Sequence, residues 1–286
     1  MKAFRRLSYP YIVWAGIMIG IPMLLIILYA FTSSGNSVTT FSFSLDNFAN
    51  FFQDSVFIQV LLKSLQIAFM TTVICILIGY PAAFFLSRMN GVMKATIFLL
   101  LTMPMWINML VRTYSWISIL SDTGLINTIL GKFGIGPISL LYTDFSVSLG
   151  MVYNFLPFMI ISIFNSLDKM DASLMEASAD LGANKFQTFM KVMFPLSLPG
   201  VITGITLVFL PAVSSFVIPK LLGGGQFVLI GNLIETQFIS VGEWHFGSAI
   251  SLVMTIIIMI SMYLTKKVDK DTDDEKVINT ASGVKL

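Results

Sequence analysis

Long apolar runs alternate along this chain with short polar intervals, and the length of the runs decides what they are. A helix needs about 20 predominantly apolar residues to cross a bilayer. Six stretches reach that length, at about 11–31, 63–87, 95–120, 144–167, 196–219 and 244–265. Pro81, Pro104 and Pro157 fall inside them, which a lipid-embedded helix tolerates because neighbouring groups re-satisfy the freed carbonyl. The predicted fold class is an all-α polytopic membrane protein with six transmembrane helices. The first run follows Lys2, Arg5 and Arg6 as a secretory signal would. It is too long for one and has no small-x-small cleavage site, so it reads as an uncleaved span.

The polar intervals divide the chain further. Residues 1–10 form an N-terminal segment and 11–31 the first span, and 32–62 a polar, aromatic loop with no basic residue. Within that loop TTFSFSLDNF fits either a strand or a surface helix. The other five spans lie in 63–265, and 266–286 is a charge-dense tail expected to be disordered. The intervals 121–143 and 220–243 read as loops, with Gly223 to Gly225 a flexible stretch.

The interval between the fourth and fifth runs is different in kind. It carries Asp168, Lys169, Asp171, Glu176, Asp180, Lys185 and Lys191 among apolar residues at helical spacing. Leu174, Ala177 and Leu181 stand at i, i+3 and i+7, and Gly182 is placed to end that helix in the left-handed conformation. A second helix is expected to start at Asn184 with Gln187 three residues on, present Phe186, Phe189, Met190, Met193 and Phe194, and stop at Pro195. Ser173 and Glu176 also have capping-box spacing. Two short amphipathic helices joined at a glycine make a docking element, and something on the aqueous side is expected to cover their apolar faces.

Composition narrows the class. The chain is 56% hydrophobic and 11% charged, against about 25% charged in an average soluble domain. Cys75 and His245 are single, so neither an internal disulfide nor a metal cluster is expected, and no GxxxxGK[ST] phosphate loop occurs. Of the 17 lysines and arginines, only Lys63, Arg112, Lys132 and Lys220 lie outside the N-terminus, the second link, the docking interval and the tail. The positive-inside rule therefore predicts that both termini and the docking interval are cytoplasmic.

Glu176-Ala177-Ser178, Gly182, Val192, Phe194 and Pro195 resemble the EAA loop of ABC-importer permeases. That loop has Glu-Ala-Ala, three residues, Gly, nine residues, Ile, one residue and Leu-Pro, and the spacing here matches throughout. Ser178, Val192 and Phe194 depart from it in side chain alone. Residues 103–120, 151–160 and 209–224 are similar to permeases of spermidine/putrescine importers. The resemblance implies the type I permease fold in a bacterial inner membrane, alternating access, and Glu176, Ala177, Ser178, Asp180, Leu181, Gly182, Phe186 and Pro195 as the ATPase-coupling residues. It implies as partners an ABC ATPase dimer, a second homologous permease, an extracytoplasmic polyamine-binding protein and membrane lipid, with no role for nucleic acid. No cofactor is expected on this chain, which is not itself an enzyme, since ATP and Mg would sit on the ATPase.

Candidate pathway residues come from the chemistry of ammonium groups, which bind aromatic faces and carboxylates. Trp106, Tyr114 and Tyr153 supply the former, with Trp116 assigned to an interfacial belt. Among the outward acids Asp122, Asp144, Glu235 and Glu243, Glu235 stands in the most apolar setting, and Asn154 and Gln237 could add hydrogen bonds. Arg112, the one basic residue deep within a span, either snorkels, lines the path or pairs with a carboxylate from another span or subunit. Residues alone leave the cargo open to a ferric ion, thiamine, sulfate or an amino acid. An ion-coupled secondary transporter is disfavoured, because no acid lies near the middle of any span.

Overall fold

The structure, a computed structural model, describes residues 9–33, 42–171 and 173–281. Most of the expected N-terminal segment, part of the alternating 39–48 stretch and the last five residues of the tail lie outside the described residues. Among the described residues, five helices are long and apolar enough to cross a membrane: Pro10–Ala30, Ser55–Ser87, Asp144–Asp168, Lys185–Ser214 and Trp244–Lys267. The remaining expected span is a pair of helices bent by 95°.

The chain forms two compact units. The first comprises Met1–Leu62 and Ile230–Ile258. It begins with α1 (Tyr9–Ala15), a π turn (Gly16–Gly20) and α2 (Ile21–Ala30), which together make the first span. A two-residue strand pair follows, β1 (Thr32–Ser33) and β2 (Ser42–Phe43), then α3 (Asp46–Gln53). The loop that fitted strand or helix thus contains both. Asn47 Nδ2 donates to the carbonyls of Ala30 and Thr32, fastening α3 to the end of the first span. Phe51, with no exposed surface, stacks on Phe57 at 6.1 Å. His245 Nδ1 lies 2.8 Å from the carbonyl of Thr32, and its ring meets Tyr29 edge-on.

The second unit comprises Lys63–Leu229 and Met259–Leu286. Its helices are most of α4 (Ser55–Ser87), α5 (Gly91–Trp106), α6 (Met109–Leu120), α7 (Leu125–Lys132), α8 (Asp144–Asp168), α9 (Ser173–Asp180), α10 (Lys185–Thr188), α11 (Phe194–Ser214) and α12 (Val217–Leu222). The most extensive helix packing is α8 against α11. A Cβ at Gly200 would stand 2.5 Å from Ser166 Cβ, so only glycine allows that approach. Around this seam Met159, Ile163, Val201 and Val208 join Cys75, Ala83 and Leu86 of α4 in one apolar core. Tyr80 and Ser197 close it with a buried 2.7 Å hydrogen bond between their hydroxyls, which satisfies both polar groups.

Several expectations are corrected. The third run is not one helix through 120: Ile107 and Asn108 are extended, and Asn108 Oδ1 caps α6 by accepting from Leu110 N–H at 2.8 Å. Pro104, within the last turn of α5, adds to the break because its ring and missing N–H weaken the helix there. The fifth span ends at Ser214, before an extended Ser215 and the short α12. The interval 220–243 contains α13 (Ile230–Glu235) and a π turn (Thr236–Val241). Within Gly223 to Gly225, Gly223 is buried and Gly224, at φ +62°, lies against the Tyr142 ring, while Gly225 is exposed. Finally, α14 (Trp244–Ala281) carries the last span into the tail, which is helical to Ala281. No glycine or proline occurs between Gly247 and Gly283 to interrupt that helix.

Candidate functional site

The docking interval folds around Gly182. The helix α9 ends in a Schellman motif: Ala183 N–H donates to Ser178 O and Gly182 N–H to Ala179 O, with Gly182 at φ +81°. These bonds satisfy carbonyls that the helix end leaves open. At the other end Asp171 Oδ1 accepts from Ser173 N–H, and that bond holds the Asp171 carboxyl below its usual pKa. Asn184 and Gln187 form the expected reciprocal capping box on α10. The predicted stop at Pro195 does not occur. A π turn (Phe189–Met193) runs without a break into α11, so Pro195 lies inside a continuous helix, where the π adjustment just before it accommodates the bond its missing N–H removes.

The Ser178 side chain is buried and donates to Met175 O at 2.9 Å, which leaves Thr188 as donor in the 2.8 Å Ser178–Thr188 pair. The hydroxyl that departs from the EAA pattern therefore ties α9 to α10. Removing one such bond costs about 1 kcal/mol. Ser178→Ala is expected to accelerate amide hydrogen exchange across α9 and α10, while transport falls by no more than severalfold.

The opposite face of the pair is open. Leu174, Ala177, Leu181, Phe186 and Met190 are exposed, Leu181 at 76% and Phe186 at 72%. Glu176, Asp180 and Lys185 are exposed beside them, which leaves an apolar strip flanked by both signs of charge. On the membrane side, Arg88 from the end of α4 directs Nη2 at the sulfurs of Met175 and Met193 and sits over the Phe84 ring. Lys94 pairs with Asp168. Arg88 and Thr188 were missed in the sequence; a basic residue in the short link between the second and third runs was the available signal for the first.

A family model described as "Binding-protein-dependent transport system inner membrane component" matches residues 75–273. The chain belongs to that family. The permease is 37% identical to the Haemophilus influenzae spermidine/putrescine transport system permease protein PotB, over 90% of this chain and 91% of that one. It is 38% identical to the Escherichia coli K12 protein of the same name, over 90% and 97% of the two chains. Its fold matches a chain of a bacterial alginate ABC transporter in complex with alginate pentasaccharide-bound periplasmic protein, with a TM-score of 0.77 at 15% identity over 94% and 95% of the chains. The permease has the type I ABC-importer fold and is a multi-pass membrane protein.

The pathway candidates divide between the two units. Glu235 ends α13 and Gln237 lies in the π turn after it, both half-buried in the first unit. In the second unit the structure brings together Arg112, Trp116 and Tyr153. The Arg112 guanidinium lies 5.9 Å from the Tyr153 ring centroid, and Trp116 meets that ring edge-on at 5.3 Å. Arg112 Nε and Nη1 are shielded from solvent and have no hydrogen-bond partner among the described residues. Asn154 is buried; its Nδ2 donates to Gly150 O at 2.8 Å, while Oδ1 has no partner among the described residues. Trp116, assigned to a belt, is half-buried beside Tyr153. Trp106 is 88% exposed at the bend after α5 and Tyr114 is exposed on α6, so neither joins it. Asp144 pairs with Lys63 at 2.9 Å.

Proposed function

We propose that this permease is one half of the membrane pathway of an ATP-driven importer of polyamines, spermidine or putrescine. What carries the cargo assignment is the 37–38% identity to permeases named for spermidine/putrescine transport, sustained over about 90% of the chain. The positive-inside asymmetry supports cytoplasmic termini and a cytoplasmic docking pair. The exposed strip of α9 and α10 suits the cleft of a separate ATPase dimer, which would hold the ATP and Mg, and a second homologous permease would complete the channel. An extracytoplasmic binding protein would deliver the cargo.

The mechanism follows from how the docking pair is built. The α9–α10 unit is stiff, held by the Schellman turn, the capping box and the Ser178–Thr188 bond. A push on it passes through the π turn into α11 and through Arg88 into α4, so closure of the ATPases would move spans as rigid bodies. The Arg112, Trp116 and Tyr153 group supplies polar and aromatic surface for a hydrated path, and the buried Asn154 is a further candidate. Glu235, Gln237, Trp106 and Tyr114 are further pathway candidates.

Uptake of radiolabelled spermidine by cells producing this permease with its partner subunits tests the reading. Saturable, ATP-dependent uptake competed by putrescine is expected. Cells that take up no polyamine but regain growth on another solute would overturn the cargo assignment and leave the architecture standing.

A further inference from the structure

At the start of α8 the carboxylate of Asp144 holds Lys63 Nζ at 2.9 Å, and the same ammonium sits 5.1 Å from the centroid of the Phe227 ring. A carboxylate and an aromatic face are the two groups that bind an alkylammonium ion. The Lys63 side chain is a four-carbon chain ending in an ammonium, chemically one end of an aliphatic polyamine. The site is open to solvent: the Asp144 side chain is 66% exposed and that of Lys63 37%. Asp144 also occupies the first turn of its helix, where the dipole favours negative charge.

We propose that Asp144 and Phe227 form an alkylammonium subsite at the extracytoplasmic end of the fourth span, filled in this structure by Lys63 and open to the ammonium end of a polyamine. The proposal rests on the polyamine reading above and deepens it. Exposed ion pairs are weak and exchangeable, so a cargo carrying two or more ammonium groups displaces the tethered one. Lys63 then acts as a resident competitor: it keeps the carboxylate occupied when no cargo is present and sets how much polyamine is needed to enter. A monocation lacks the second charge that would hold it during the exchange, which favours polyamines over simple amines.

The roles of Lys63 and Asp144 predict changes of opposite sign. In the complete transporter, Lys63→Met is expected to lower the half-saturating spermidine concentration about two- to fivefold, the range of an exposed ion pair. Asp144→Asn is expected to raise it by about fivefold, since the carboxylate that holds the ammonium is lost. With Asn at position 144, the further Lys63→Met change is expected to have no effect. A plain structural clasp between α4 and α8 would instead make both single variants worse, with lower abundance or higher half-saturation. That result, or two variants indistinguishable from wild type in cells where wild type takes up spermidine, overturns the subsite alone. Absence of wild-type spermidine uptake overturns the polyamine reading and the subsite with it.

Discussion

Replacing Gly182 with valine is expected to abolish coupled transport while leaving the permease in the membrane at close to normal abundance. Gly182 sits at φ +81°, and a Cβ there would meet nothing within 4 Å. The damage therefore comes from the backbone, since a β-branched residue is strained in the left-handed region. The strain of about 1–3 kcal/mol is relieved by opening the Schellman turn, which swings α9 away from α10. The docking surface is formed by both helices, so the loss appears in partner binding, at roughly 5- to 150-fold for that energy. Gly182→Asn is the informative companion, because asparagine tolerates the left-handed conformation. It is expected to keep most ATPase co-purification and most uptake. Co-purification from detergent, scored beside membrane abundance, separates the outcomes. Normal transport by Gly182→Val would remove the docking role from this loop. Failure of both variants would mean that the partner packs directly over Gly182 and has no room for any side chain.

Much of this was legible in the chain, and what was not has physical reasons. A run of twenty apolar residues has one stable reading in lipid, so five of the six spans emerged directly. The break at Ile107 and Asn108 did not, because a proline is tolerated within a span and a capping asparagine looks like any polar residue there. Pro195 misled in the opposite direction: it lies inside a continuous helix, and a lipid-embedded helix tolerates a proline where a local π adjustment, here Phe189–Met193, re-satisfies the freed backbone group. Gly182 was readable because the left-handed requirement is local. The Ser178–Thr188 bond, the seat of Arg88 on Met175 and Met193, and the approach of Trp116 to Tyr153 depend on residues ten or more apart in sequence. No periodicity encodes such meetings. The same holds for the pathway candidates: residue chemistry selected Arg112, Tyr153 and Asn154 together with Trp106, and only the fold set Trp106 apart.

Gly200→Val is expected to do the reverse of Gly182→Val, removing the permease itself rather than its coupling. A Cβ at position 200 would lie 2.5 Å from Ser166 Cβ, 2.8 Å from Ser162 O and 3.3 Å from Ile163 Cα. Two of those neighbours are backbone atoms of α8, which cannot turn aside as a side chain can. The helices α8 and α11 must therefore separate along the seam that makes the largest helix–helix contact in the second unit. Association of helices within lipid relies on close packing of small residues more than on a hydrophobic gain, so a forced gap is not offset elsewhere. Overpacking costs about 1–3 kcal/mol, occasionally more, and separation at this seam would also loosen the buried Tyr80–Ser197 pair. The expected result is a membrane abundance reduced by about tenfold and a lower melting temperature for what remains in detergent. Gly204→Ala provides the contrast. Its nearest obstacle is Met159 Sδ at 2.5 Å, the end of a flexible side chain, which moves at small cost. That variant is expected to accumulate and melt close to wild type. If Gly200→Val accumulates normally and melts with wild type, the α8–α11 seam is not what holds the second unit together, and transmission from the docking pair through α11 loses its rigid anchor.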